Sequence, residues 1–291
     1  TGKALTQSKV NKLSFTGSTR TAKKVAASCA EQMIPVVLEC GGKDPVIVAH
    51  DADIKLAAEY ALWSAMANAG QSCIGAERVY VVESVADEFI ETIVDLAKKI
   101  KPGQSYGPAT MPSQLKVIQS HLDDAKAKGA KFLLGGPDSV KGAFVEPVIM
   151  VDVPEDSTAM TQETFGPTLA INKVMNTDEA IKLSNASSYG LAAAVFSKRE
   201  GEKIASKLAC GMVSINSVFL FAAIAAVPFG GVKDSGYGRI HGAEGLLEYT
   251  YARSVVKTRF KIPLRFTTFK RTKLSEKILT LLIKKLHGRK K

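Results

Sequence analysis

Along most of the chain, short β-branched and apolar runs alternate with stretches whose apolar positions recur every three or four residues. A period near two reads as a strand and one near 3.6 as a helix. The pattern predicts strands at 13–16, 36–39, 46–48, 79–82, 170–174, 193–196 and 212–215. Helices are expected at 19–32, 54–68, 85–100, 114–128 and 200–208. Helices of this length can cross over between parallel strands, so the fold class is α/β. Ser84 can cap the helix that begins at Val85, and Gly129 is placed to stop the helix ending at Lys128. Two loops are rich in glycine, 70–75 and 228–239. Residues 1–11 lead almost at once into a strand and helix that read as mid-sheet elements. Either an N-terminal part of that domain is missing, or something else pairs the sheet edge.

Composition narrows the class. At 291 residues, 46% hydrophobic and 23% charged, the chain can bury a substantial core as one large or two moderate domains, which excludes a disordered or fibrous protein. The net charge of +11 raises the question of nucleic acid, but its distribution answers it. Between Lys257 and Lys291 lie 13 lysines and arginines and a single acid, Glu276, whereas the preceding residues hold 26 basic and 27 acidic side chains. The body is near neutral and the tail is basic, so no nucleic-acid partner is expected. The four cysteines, Cys29, Cys40, Cys73 and Cys210, are far apart, without paired metal-ligand spacing or a signal peptide. That spacing points to a reducing, cytoplasmic compartment and to no metal. No apolar run approaches the roughly 20 residues of a spanning helix.

Three segments carry candidate chemistry. Phe15-Thr16-Gly17-Ser18-Thr19 lies where a strand ends and a helix opens, a place where free N–H groups and the helix dipole favour phosphate; a plain helix cap reads the same way. Leu38-Glu39-Cys40-Gly41-Gly42-Lys43 puts a carboxylate at the end of an apolar strand, where partial burial raises its pKa towards that of a general base; a structural ion pair is the alternative. Gly70-Gln71-Ser72-Cys73 puts a thiol in a glycine-flanked turn, whereas Cys29 and Cys210 fall in apolar helical patterns and read as small buried residues. Cys40 neighbours Glu39 but points to the other face of its strand.

Taken in order, with Glu163-Thr164-Phe165-Gly166-Pro167 and Pro228-Phe229-Gly230-Gly231-Val232-Lys233-Asp234-Ser235-Gly236 following, these motifs resemble the aldehyde dehydrogenase superfamily over about Lys12 to Phe260. The resemblance implies a three-layer, parallel-sheet α/β fold, truncated at its N-terminus. In it, residues 1–39 are the remnant of a dinucleotide-binding domain, 40–240 a catalytic domain, 241–260 a return helix and oligomerisation strand, and 261–291 a basic tail. It further implies NAD or NADP as cofactor and an aldehyde as substrate. Cys73 would attack the aldehyde as thiolate, its backbone N–H would help hold the oxyanion, and Glu39 would activate water against the thioester. Glu163 matches the residue that holds the nicotinamide ribose, Phe165 the one beside the nicotinamide ring, and Gly17 and Ser18 the phosphate turn. A homodimer or homotetramer would pair the strand 253–260 across subunits.

The match also has gaps. The family's oxyanion-hole asparagine and adenosine-ribose lysine and glutamate would precede Thr1. Ala22 stands where a turn glycine is common, and Met66 where an aromatic is frequent. A catalytically silent binding remnant is therefore the competing reading. A third is a membrane-surface protein governed by the tail: Leu274, Ile278, Leu279, Leu281, Leu282, Ile283 and Leu286 share one helical face, with Lys273, Glu276, Lys277, Thr280 and Lys284 opposite and Lys285 interrupting the apolar side.

Overall fold

The computed structural model describes residues 2–260 and 268–288, and its contacts divide the chain into two units, 1–250 and 251–291. In the first unit, β1 (Leu13–Thr16) and β2 (Val36–Glu39) pair in parallel, with helix Thr19–Ala30 between them in sequence. The strands β3 (Asp44–Val48), β4 (Ala76–Val82) and β5 (Lys131–Leu134) follow, then a small hairpin of β6 (Val140–Lys141) and β7 (Phe144–Val145). Next come β8 (Val148–Val151), β9 (Thr168–Val174), β10 (Ala192–Phe196), β11 (Met212–Ile215) and β12 (Gly236–Tyr237). Seven of these form the central sheet, in the order β11-β10-β3-β4-β9-β8-β5. Every neighbouring pair in it is parallel except β5 with β8. A second sheet has the order β1-β2-β12, and among the described residues no strand pairs with the outer edge of β1.

Strand alternation builds the layers. Val46, Val48, Val79 and Val81 face one way, onto Ala57, Ala61, Leu62, Phe89 and Ile93 of the helices Ile54–Met66 and Glu83–Ala97. Ile47, Tyr80, Val82 and Val195 face the other way, onto Ile118 and Leu122 of Pro112–Ala127 and Ala180 and Ile181 of Thr177–Asn185. Strands covered on both faces read as continuous apolar runs, as β3, β4 and β10 do. The expected three-layer α/β arrangement is therefore present.

Several local expectations change. Ser84 is not a cap: the chain turns from β4 straight into a helix at Glu83, with Val82 in the capping position and no side-chain cap bond. Gly129 does follow the end of Pro112–Ala127, with φ +96°. Cys210 lies in the turn before β11 rather than in a helix, because the helix ends at Ala205. The helix Thr177–Asn185, capped by Asn176, and the strands β5 and β8 were not legible in the pattern. The stretch 253–260 has no regular secondary structure, in place of the expected strand. A strand is defined by ladder bonds to a neighbour, and this one's expected neighbour is another subunit. In the second unit, the helix Lys273–His287 forms as expected, closed by a reciprocal Thr272–Ser275 capping box.

One polar cluster crosses the apolar interior. Glu77 sits inside β4, a strand buried along its whole length, where a carboxylate needs partners. Its Oε2 forms an ion pair with Lys43 Nζ, with side-chain exposures of 7% and 1%. The Glu77 carboxylate also accepts the backbone N–H groups of Thr164 and Phe165, each at 2.8 Å, and Lys43 Nζ donates to Thr164 Oγ1 at 3.1 Å. The Arg78 guanidinium returns to the Lys43 carbonyl at 2.9 and 2.7 Å. His121 Nδ1 lies 3.1 Å from the same Thr164 hydroxyl. Four stretches distant in sequence, at Lys43, Glu77, His121 and Thr164, are thereby locked at one place.

Removing only the cation leaves Glu77 charged and buried, so Lys43→Met is expected to lower unfolding free energy by about 3–5 kcal/mol, read from the denaturant midpoint. Lys98→Met, which breaks a pair with Asp95 whose side chains are 59% and 62% exposed, is expected to leave the midpoint unchanged. Equal midpoints for the two variants would refute the role given to the pair.

Candidate active site

The two sheets meet at a chain crossing. β2 ends at Glu39 and β3 starts at Asp44, so Cys40-Gly41-Gly42-Lys43 is the bridge between them. Glu39 therefore lies at the carboxyl end of the small sheet. Cys73, Glu163 and Phe165 lie just before the amino ends of β4 and β9. The predicted residues gather between the carboxyl edge of one sheet and the amino edge of the other.

The bridge glycines let these groups approach. The Glu163 carboxylate lies against Gly41, where an added Cβ would fall 2.1 Å from Oε2, and the Gly42 N–H donates to Oε1 at 3.3 Å. On Gly42 an added Cβ would fall 2.9 Å from the Cys73 carbonyl oxygen. A side chain at either position would force Glu163 or the cysteine loop away. Ser235, fully buried, fixes the bridge from the far side: its Oγ donates to the Gly41 carbonyl at 2.7 Å, and its carbonyl accepts the Cys40 N–H at 3.0 Å. β12 then pairs antiparallel with β2, with Gly236 opposite Glu39. The late motif 228–236 is thus a structural clasp on the Glu39 strand.

Gly17 and Ser18 adjoin this edge: the Gly17 N–H donates to the Glu39 carbonyl at 3.0 Å. Ser18 is the N-cap of Thr19–Ala30, its Oγ accepting the Thr21 N–H at 3.4 Å, so the helix-cap reading holds for this residue. Phe165 is in the left-handed region, φ +52°, held there by its N–H bond to Glu77. Lys43, Glu77 and Thr164 were missed as organisers. The available signal was Glu77-Arg78, two adjacent charges at the start of a strand that otherwise reads as buried.

Electrostatics distinguish the candidates. Glu39 is 3% exposed and neither carboxylate oxygen has a hydrogen-bond partner. Burial pushes its pKa up to about 7, opposed only by the nearby Arg239. Burial, with Glu77 adding to it, also raises Glu163 to about 7. Cys73 is half-buried against Leu191, Met212 and Phe229. Its thiol is pushed up to about 11 by burial and then by the carboxylates of Asp44 and Glu163. The resemblance implies attack by a thiolate, whereas in the unliganded chain burial, and after it the carboxylates of Asp44, Glu163 and Glu39, act against that form. The buried Cys40 is likewise raised, and Cys210 rises to about 12. Among the described residues no group of acids, histidines and cysteines could hold a metal ion.

Ahead of the cysteine loop, the helix Ile54–Met66 lines an apolar groove of about 530 Å³ with Tyr60, Trp63, Val218, Phe219 and Leu220. Trp63 meets Phe219 edge-on, with ring centroids 5.2 Å apart.

Known proteins share this chain's sequence pattern and fold. The profile of the aldehyde dehydrogenase family matches residues 1–255. The chain is 39% identical to the 4,4'-diapolycopene aldehyde oxidase of Methylomonas sp over 269 residues, 90% of this chain and 50% of that protein. It is also 39% identical to a putative succinate-semialdehyde dehydrogenase (NADP(+)) of Mycolicibacterium smegmatis, over 85% of this chain and 50% of that one. Among solved structures, betaine aldehyde dehydrogenase from Staphylococcus aureus in complex with NAD+ superposes with a TM-score of 0.83 at 34% identity, covering 92% of this chain and 55% of that one. The chain spans about half the length of the curated relatives it matches.

The raised Glu39 pKa makes a stability prediction that needs no substrate. The unfolded carboxylate ionises near 4.3 and the folded one near 7, so the contribution of Glu39 to stability falls as pH rises between those values and then levels off. Glu39→Gln is expected to match the wild type below about pH 4.5 and to exceed it by about 1–3 kcal/mol at pH 8, measured by denaturant unfolding. A pH-independent difference would show that Glu39 does not titrate in this way.

Proposed function

The chain belongs to the aldehyde dehydrogenase family, and from that premise we propose that it oxidises an aldehyde to the carboxylic acid with NAD or NADP, through Cys73 and Glu39. The observation that carries this reading is the Gly41–Gly42 bridge, which brings the Cys73 loop and the Glu163 carboxylate together beside the strand that ends in the unpartnered, buried Glu39. Such a constellation pairs a nucleophile with a base poised near neutral pH.

A bound nicotinamide dinucleotide supplies the hydride acceptor for the oxidation. The residues present fit it. The Glu163 carboxylate uses one acceptor position on the Gly42 N–H and has capacity left for ribose hydroxyls. Phe165 follows it on the same turn, and the Gly17–Ser18 turn opens a helix, where phosphate is favoured.

Cys73 Sγ gives up its proton and bonds to the aldehyde carbon, while its own backbone N–H donates to the developing oxyanion. No hydrogen bond joins the thiol to Glu39, whose carboxylate oxygens have no partner, so the Cys73 proton leaves by way of water to solvent and Glu39 stays free for the second step. Once the carbon is oxidised to the thioester, Glu39 takes a proton from water. The resulting hydroxyl bonds to the acyl carbon, the C–S bond breaks, and the acid leaves with Cys73 restored. The groove at Tyr60, Trp63 and Phe219 suits a substrate with an apolar tail. Four cysteines, none in a disulfide, fit a reducing, cytoplasmic compartment. Self-association through 253–260 would cover Val255 and Val256, which are 79% and 93% exposed.

The test is formation of reduced nicotinamide by the purified chain with aliphatic and aromatic aldehydes. Cys73→Ala is expected to abolish it. Glu39→Gln is expected to slow steady turnover about 100-fold to 10,000-fold while leaving a first, stoichiometric turnover, and wild-type turnover is expected to rise through about pH 7 as Glu39 ionises. A folded chain with an alkylatable Cys73 and no aldehyde-dependent signal would overturn the reading and favour a catalytically silent remnant.

A further inference from the structure

We propose that the helix Lys273–His287 docks the protein on an anionic membrane surface, lying in the plane of the interface. The inference is independent of the aldehyde reading. At 15 residues the helix is about 22 Å long, short of the roughly 30 Å hydrocarbon core, and no helix among the described residues is long and apolar enough to cross a membrane. Its apolar positions cover an arc of about 200°. Leu274, Leu281, Ile283 and Leu286 on that arc are 65%, 67%, 52% and 72% exposed. Lys273, Lys277 and Lys284 occupy the other side, where their stems can reach along the apolar boundary and set the ammonium groups among headgroups.

The helix is closed by its own side chains, since Thr272 and Ser275 exchange hydrogen bonds at 3.0 and 3.2 Å. Charge selects the occupant. The segment from Lys257 to Lys291 has 13 basic residues and one acid, against 26 basic and 27 acidic residues before it. Attraction to an anionic surface is therefore concentrated around this helix, whereas a second copy laid on the same face would bring two strongly basic segments together.

The experiment is co-sedimentation of the full chain with vesicles of phosphatidylcholine alone or with about a third phosphatidylserine, at low and high salt, beside light scattering for oligomeric state. The wild type is expected to bind the anionic vesicles at least tenfold better than the neutral ones and to release with salt. Lys277→Glu/Lys284→Glu is expected to weaken anionic binding by more than tenfold, since each lysine contributes about fivefold. Leu274→Glu/Leu281→Glu is expected to abolish binding while the Cys73 thiol titre and circular dichroism stay unchanged. The proposal fails if the wild type ignores anionic vesicles or if the leucine variant binds them equally. It fails too if that variant's only effect is to convert an oligomer to a monomer.

Discussion

The ion pair between Lys43 and Glu77 is the constraint on which the rest of the site depends. A buried pair of this kind contributes little net stability beside a well-packed apolar alternative; its consequence here is positional. Glu77 belongs to the strand just after the Cys73 loop, Lys43 ends the bridge from Glu39, and the carboxylate they share also holds the backbone of Thr164 and Phe165. Because every partner is inside the protein, none can move without leaving a charge or an N–H group dry and unpaired. Glu163, one residue before Thr164, is consequently held against Gly41.

The same low dielectric sets the chemistry. Glu39 and Glu163 are poised near neutral pH, and the Cys73 thiol is raised well above it. The placement is unusual for a parallel α/β sheet, where ligands gather at carboxyl ends of strands. Here the large sheet offers its amino edge and the small sheet its carboxyl edge, with a four-residue bridge between them.

The legible features were local ones. β1, β2 and β11 match the pattern residue for residue, because four-residue apolar runs between clear breakers admit few alternatives. Glu39, Cys73, Gly17 and Ser18 were marked by the company of glycines, whereas Glu163 and Phe165 came only from the resemblance of their motif. The edge strand Lys131–Leu134 and the helix Thr177–Asn185 were missed because a few residues at the rim of a core carry weak periodicity. Cys210 was misplaced for a related reason: its run of apolar neighbours reads as helix, whereas the chain has already turned towards β11.

The sequence by itself determined the α/β class, the strands β1 to β4 and β9 to β11, and the basic amphipathic end, since each follows from spacing and residue type within a short window; the candidate site residues came from the order of five motifs. Only the tertiary structure decided that Ser235, 194 residues away, clasps Gly41, and that Glu77 organises the turn at Thr164. It also set the burial and the neighbouring carboxylates that push the Cys73 thiol upward. A side chain's partners and dielectric surroundings are set by which distant segments fold over it, and nothing in its own neighbourhood along the chain carries that information.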